Sequence, residues 1–193
     1  MVRRTRTEME KTRITLLATA RKIFGELGYA NTSMDDLTAQ ANLTRGALYH
    51  HFGDKKGLLV AVVAQIDTEM DARLRDISDS TTDAWTGFRN RCRAYLEMAQ
   101  EPEIQRIVLR DAKSVLGHPS PGEQQHCIES MQKLLAQLMQ QGIVVPSNPE
   151  ALTLLIYGSL TEAAFWIAES GNSKERLTQA LAAMEQLLRG IRS

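Results

Sequence analysis

Apolar residues recur every three or four positions along most of the 193-residue chain, the spacing of one buried face on an α-helix. Leu16, Leu17, Ala20, Ile23, Phe24 and Leu27 form the inner stripe of a first helix that Gly28 ends. Leu37 with Ala41, and Leu48 with Phe52, are i, i+4 pairs on two short helices. Leu58, Leu59, Val62, Val63, Ile66, Met70 and Leu74 continue as one long helix, and polar residues from Ser78 to Asp83 predict a loop after it. Helical patterns resume near Trp85 to Gln100 and Glu103 to Leu116, with Pro102 in the first turn of the latter. The run Gly117-His118-Pro119-Ser120-Pro121-Gly122 predicts a loop. A further helix is expected from about Glu123 to Gln141, closed by Gly142. Asn148 caps the next, with Pro149 first inside it, and that helix continues to about Glu169. Ser173 opens the last, which reaches about Arg189. No segment alternates with strand period for more than a few residues, and Ile143-Val144-Val145 is too short to count. The pattern therefore predicts an all-α chain of about nine helices.

The two short helices carry the most local information. Ser33 can accept a hydrogen bond from a first-turn amide, and Asp36 three residues on completes a capping box. Asn42 tolerates the left-handed backbone of a tight inter-helix turn. Thr44 then caps the second helix. Leu48 and Phe52 point inward, which leaves Arg45, Gly46, Tyr49 and His50 on the outer face. That face suits DNA. Arg45 can bond a phosphate or fork onto guanine in the major groove. Gly46 lets the backbone come close, Tyr49 offers a ring edge to a thymine methyl, and His50 can donate to a phosphate. Lys55 stands at the start of the following helix, where its charge and the free amides both attract an anion.

The residues that build this unit resemble the TetR family of bacterial transcriptional regulators, from about Thr12 to Leu59. Leu17 to Gly28 looks like that family's first helix, and Thr32-Ser33-Met34-Asp35-Asp36-Leu37-Thr38 resembles its second. Leu43-Thr44-Arg45-Gly46-Ala47-Leu48-Tyr49-His50-His51-Phe52, with Asp54-Lys55 and Leu58-Leu59, resembles its recognition helix and the entry to helix four. The resemblance implies DNA contacts from Thr44, Arg45, Gly46, Tyr49, His50 and Lys55. Ser33, at the opening of the second helix, is placed with them. Asn42 stands where a Gly is usual. Lys56 stands where an acidic or small residue is common, and adds a phosphate contact. Beyond about residue 75 the resemblance is one of architecture and names no ligand.

Charge sharpens this picture. Lys plus Arg and Asp plus Glu number 23 each, so the total cancels. Residues 1–60 hold ten basic against six acidic side chains, leaving thirteen against seventeen for the rest. A basic first third on an acidic remainder is expected when one end touches a polyanion. Arg3, Arg4 and Arg6 precede any helical pattern and predict a basic arm that adds salt-dependent affinity. Nowhere do 18 apolar residues run together, and no apolar leader follows the first arginines, so a cytoplasmic protein without a membrane partner is expected. Cys92 and Cys127 have no framework spacing and are expected to stay reduced. The sequence contains no GxSxG, HExxH or glycine-rich phosphate loop, so no enzyme, cofactor or metal is expected.

The last two helices predict an assembly. Leu177, Leu181, Met184, Leu188 and Ile191 repeat at spacings of four and three, a narrow apolar seam. Leu152, Ile156, Ser159, Leu160, Ala163, Ala164 and Ile167 form a stripe on the preceding helix whose small residues allow close approach. Two such helices suggest a four-helix bundle between two copies, with Ile156, Ser159, Ala163, Ile167, Leu177, Leu181, Met184 and Leu188 at the interface. A two-fold dimer sets two recognition helices about 34–36 Å apart on a palindromic site.

In the middle helices the family resemblance implies a small-molecule cavity. Trp85, Tyr95, Arg110, His118, Met131, Tyr157, Glu162 and Trp166 are its candidate lining, with Arg91 and Asp111 as further anchors. The expectation is an arm and helix-turn-helix domain over 1–56 and a helical effector-binding and dimerisation domain over 57–193. The implied function is a repressor bound to its operator as a homodimer and released by a small apolar or amphipathic effector, with the helix around 58–75 as the lever. Two alternatives are an architectural DNA-binding dimer without effector, and a metal or redox sensor using Cys92, Cys127, His118 and His126.

Overall fold

A computed structural model of the protein describes residues 6–118, 125–169 and 171–193. The helices, in chain order, are α1 (Arg6–Leu27), α2 (Met34–Ala41), α3 (Arg45–Phe52), α4 (Lys55–Asp79) and α5 (Ala84–Met98). A π-helical segment (Ile104–Ala112) then runs directly into α6 (Lys113–Leu116), followed by α7 (Gln125–Gln140), α8 (Pro149–Ala168) and α9 (Ser173–Ile191). The β-branched run at 143–145 makes a single antiparallel bridge, Val144 to Arg192, and no strand forms among the described residues.

The chain packs as two compact units, one of residues up to Ile66 with Arg106–Gly117, the other of Asp67–Gln105 with His118–Ser193. The division between these units falls inside α4. In the first unit α1 packs across α2 and α3. Leu16, Ile23 and Phe24 of α1, Leu37 of α2, Leu48 of α3 and Leu58 and Leu59 of α4 are all buried. Each such side chain contributes about 1.5–3 kcal/mol by leaving water. Leu27 departs from the expected stripe at 47% exposure. It closes α1, and neighbours use its carbonyl, which accepts from Asn31 Nδ2 at 3.1 Å and Arg106 Nη2 at 2.8 Å.

Arg6 is helical, contrary to the expectation of an arm reaching that far. With Glu8 in its first turn, α1 begins with an acidic group where the helix dipole favours one. Arg3 and Arg4 lie outside the described residues, as do 119–124 of the expected loop and helix start. The loop expected from Ser78 is shorter than predicted. Ser78 is buried inside α4 because its hydroxyl donates back to Leu74 O at 3.0 Å, satisfying itself within the helix. Asp83 then caps α5, accepting from the Thr86 amide at 2.9 Å.

The second unit is a bundle in which α5 lies against α7, α8 and α9, and α8 lies against both α7 and α9. Phe88, Cys92 and Leu96 of α5, Leu135 of α7, Ile167 of α8 and Leu188 of α9 are buried in it. Gly87 permits the close approach of α5 to the end of α4, since a Cβ there would lie 2.6 Å from Ser78 O. The helix α8 is apolar enough, at a mean hydropathy of 1.4 over a helix of 20 residues, to cross a membrane by length and composition alone. Its inner side instead meets α5, α7 and α9, and its outer side contributes to an apolar groove.

Candidate functional site

The helix-turn-helix is built by the expected local chemistry. Ser33 Oγ accepts from the Asp36 amide at 3.1 Å, and the Asp36 carboxylate accepts from Ser33 N at 3.2 Å and Oγ at 2.6 Å. These bonds to Ser33 hold the Asp36 carboxyl below its ordinary range. Asn42 takes the left-handed conformation at φ 52° and ψ 40°. Its amide donates to Ala39 O at 3.1 Å and that of Leu43 to Thr38 O at 3.0 Å, which closes the turn. Thr44 Oγ1 accepts from the Ala47 amide at 3.2 Å and starts α3. At the far end a Cβ on Gly57 would lie 2.0 Å from Phe52 O, so only glycine lets α4 begin this close to α3.

On this frame all but one of the predicted DNA-contacting residues are exposed. Ser33, Thr44, Arg45, Gly46, Tyr49, His50 and Lys56 are exposed. Lys55 is placed differently. It is half-buried with its ammonium 4.1 Å from the centroid of the Tyr29 ring, and burial lowers its pKa against the opposing pull of Asp111. Arg45 is also engaged: Nε and Nη2 donate to the two carboxylate oxygens of Asp35 on α2, which raises the guanidinium pKa. Sequence reasoning passed over Asp35, whose position in the first turn of α2 is explained by the helix dipole alone.

The π-helical segment holds the end of α1 from the same unit. Tyr29 N donates to Asp111 Oδ2 at 2.7 Å, and Arg106 Nη2 donates to Leu27 O at 2.8 Å. Asp111, proposed from sequence as a ligand anchor, is thus a partner of the α1–α2 turn. Arg110 lies on this segment too, exposed and in the first unit.

In the second unit the remaining candidates separate into three groups. Tyr95 and Tyr157 come together, with ring centroids 6.0 Å apart and a 3.2 Å hydrogen bond between Tyr95 Oη and Thr161 Oγ1. Burial pushes the Tyr95 hydroxyl up to about 12 and that of Tyr157 further in the same direction. Trp85 and Met131 are core residues, Trp85 packing on Phe88 at 5.9 Å. Glu162 and Trp166 are exposed on α8, and His118 meets the edge of Phe165 at 5.1 Å. A buried ion pair that sequence did not reveal, Arg91 with Asp71, lies in this unit. Cys127 has Asp71 as a partner, and burial chiefly raises both its thiol and that of Cys92 to about 12. Among the described residues no group of three or more His, Cys, Asp or Glu side chains could hold a metal ion.

An open apolar groove of about 550 Å³ runs along α8 and α9 in this unit. Of the predicted interface residues, Ile156, Ser159, Ala163, Met184 and Leu188 line it. Ile167 is buried, and Leu177 and Leu181, both half-buried, are not in its lining. Leu155 and Leu187, at 72% and 62% exposure, are on it with Trp166, and none of the three is in the predicted stripe or seam.

Comparison with known proteins places this architecture. Residues 16–62 match the family described as bacterial regulatory proteins, tetR family, and residues 85–191 match the tetracyclin repressor-like C-terminal domain. The chain belongs to the TetR family. Within it, the chain is similar to the crystal structure of a TetR-family transcriptional regulator from Pectobacterium atrosepticum, at 70% identity over 98% of each chain with a TM-score of 0.93. RolR, solved in complex with the ligand resorcinol, shares the TetR fold at 20% identity, a TM-score of 0.70 and coverage of 97% and 90%. The Transposon Tn10 TetC protein of Escherichia coli is 31% identical over 102 residues, 53% of this chain and 51% of its own length. The regulator TtgR of Pseudomonas putida is 37% identical over 71 residues, 37% and 34% of the two chains. The match thus spans about half the length of one of these relatives and a third of the other.

Proposed function

We propose that this TetR-family regulator is a cytoplasmic, ligand-responsive repressor that binds a palindromic operator as a homodimer and has no enzymatic role. The exposed outer face of α3 carries the reading. Arg45, Gly46, Tyr49 and His50 stand there together, between the Thr44 cap and Lys56, on a helix fixed by its own caps. Such a face supplies donors for phosphates and base edges and a backbone that approaches closely. The DNA-contacting residues lie within 1–56 and the effector-binding and dimerisation part within 57–193, of which the stretch up to Ile66 and Arg106–Gly117 packs with the DNA-binding helices.

A homodimer through α8 and α9 is supported by the groove between them. Contiguous exposed apolar surface of this kind marks an interaction site, and a second copy presents the same helices to it under two-fold symmetry. A small apolar or amphipathic effector among α4–α8 would release DNA only through a higher affinity for the non-binding arrangement of the dimer. Tyr95 and Tyr157, both buried aromatic hydroxyls, are the candidate polar anchors, and RolR with resorcinol is a precedent within the fold.

Selection of sheared genomic DNA on the purified protein at near-physiological salt tests the proposal. A palindromic motif upstream of a few genes is the expected result. Enrichment of DNA with no shared motif would remove sequence-specific repression, and a monomer by light scattering at micromolar concentration would remove the palindrome.

A further inference from the structure

We infer that Asp35 is a specificity-determining positioning residue that orients Arg45 toward O6 and N7 of a guanine in the major groove. The inference rests on the reading of α3 as the recognition helix. Arg45 opens α3 and is exposed, yet its Nε and Nη2 both donate to the two oxygens of Asp35. A side-on pair of this kind consumes one long edge of the guanidinium. The end-on edge keeps one Nη1 proton and the second Nη2 proton, a pair of parallel donors that matches the O6/N7 acceptor pair of guanine. A phosphate would be met as well by a freely rotating arginine; a fixed fork is what a base edge requires.

The helix dipole favours an acidic residue in the first turn of α2, but does not require its carboxylate to hold Arg45. The capping box of α2 is closed by Ser33 and Asp36 without it. An ion pair between two exposed side chains contributes little to stability in water. A carboxylate on a DNA-facing surface also repels phosphates, so its presence beside the recognition helix is costly unless it acts through a cation. Once the interface excludes water, the Asp35–Arg45 attraction strengthens and the fork stays aligned.

The test is selection from randomised duplex DNA with the full-length wild type, Asp35→Ala, Asp35→Asn and Arg45→Ala at one salt concentration. In the wild-type motif one guanine per half-site is expected to be favoured roughly 5- to 150-fold over other bases, the range of a bidentate contact. Arg45→Ala abolishes that preference. Asp35→Ala reduces it to a few-fold at the same base pair and leaves the other positions unchanged, while non-specific binding holds or rises because a negative charge is gone. Asp35→Asn is intermediate, since one carbonyl oxygen still accepts. A loss confined to one base pair is not what a folding defect produces. An Asp35→Ala motif identical to wild type overturns the inference, as does an Arg45→Ala effect at a base other than guanine or a uniform loss across all positions. A wild type that enriches no motif overturns the recognition reading itself, a result distinct from any of these.

Discussion

Arg91 Nη2 donates to Asp71 Oδ1 at 3.2 Å, and the two side chains are only 2% and 6% exposed. Asp71 also accepts from Arg75 Nε at 3.1 Å, and Arg91 Nη1 donates to Ser130 Oγ at 3.1 Å. A buried charge is tolerable only while its partner is present. Asp71→Ala is therefore expected to lower the unfolding free energy by about 3–5 kcal/mol in urea titration. The double change Asp71→Leu with Arg91→Met should cost markedly less than Asp71→Ala alone. Equal losses would show that the charges are solvated in the folded state.

Gly57 sets the spacing between α3 and α4. An added methyl would lie 2.0 Å from Phe52 O, a backbone atom at the end of α3. Gly57→Ala is expected to cost about 1–3 kcal/mol through forced backbone movement. DNA affinity should drop more than that of an Ala substitution at Gly158, where a Cβ meets open space. Thermal unfolding and a binding titration on both variants would check it.

The caps of the helix-turn-helix predict a pH effect with a definite sign. Bonds to Ser33 hold the Asp36 carboxyl below its ordinary value in the folded state. Its contribution is thus fully present above the unfolded carboxylate range and is lost as pH falls through the lowered value. Asp36→Asn should flatten the acid side of a stability–pH profile, and an unchanged slope would count against the cap. Thr44→Ala, which removes the acceptor for the Ala47 amide, should cost about 1 kcal/mol at any pH.

Leu155 and Leu187 line the groove that the proposed dimer covers. Leu155→Glu is expected to give a monomer in multi-angle light scattering with unchanged helical circular dichroism. Operator affinity should fall by about a hundred-fold or more, because two linked half-sites become two separate ones. A Leu155→Glu protein that remains dimeric would move the interface elsewhere.

Both thiols should be inert. With Cys92 and Cys127 pushed up to about 12 by burial, little thiolate exists near neutral pH, and thiolate is the reactive form. Neither is expected to react with a thiol-specific reagent at pH 8 until urea is added. Rapid native labelling of either would restore the redox-sensor reading.

Much of this was legible because the signals were local. The caps at Ser33, Thr44 and Asn148, Pro149 in the first turn of α8 and the left-handed Asn42 each depend on residues within three or four positions. The stripes of α1 and α4 were equally readable except at their ends, where Leu27 turns outward and Ser78 satisfies its own hydroxyl. What escaped was long-range. Asp35 and Arg45 are ten residues apart, and Asp71 and Arg91 twenty, so neither pairing follows from helical spacing. On α8, Leu155 reads as core by type, and only the positions of α5, α7 and α9 show which side of a mostly apolar helix is left uncovered.

The winding of the Ile104–Ala112 segment has a consequence of its own. Residues five apart on an α-helix are turned by roughly 140° from each other, which would send Arg106 and Asp111 in different directions. A π-helix bonds each residue to the fifth along and brings such positions onto the same side of the helix. Here both reach the turn after α1, one through the Leu27 carbonyl and one through the Tyr29 amide. The footing of the DNA-binding helices is therefore encoded in helix pitch as much as in residue identity. Rewinding the segment to α at its present length would break one of the two holds while leaving both side chains in the sequence.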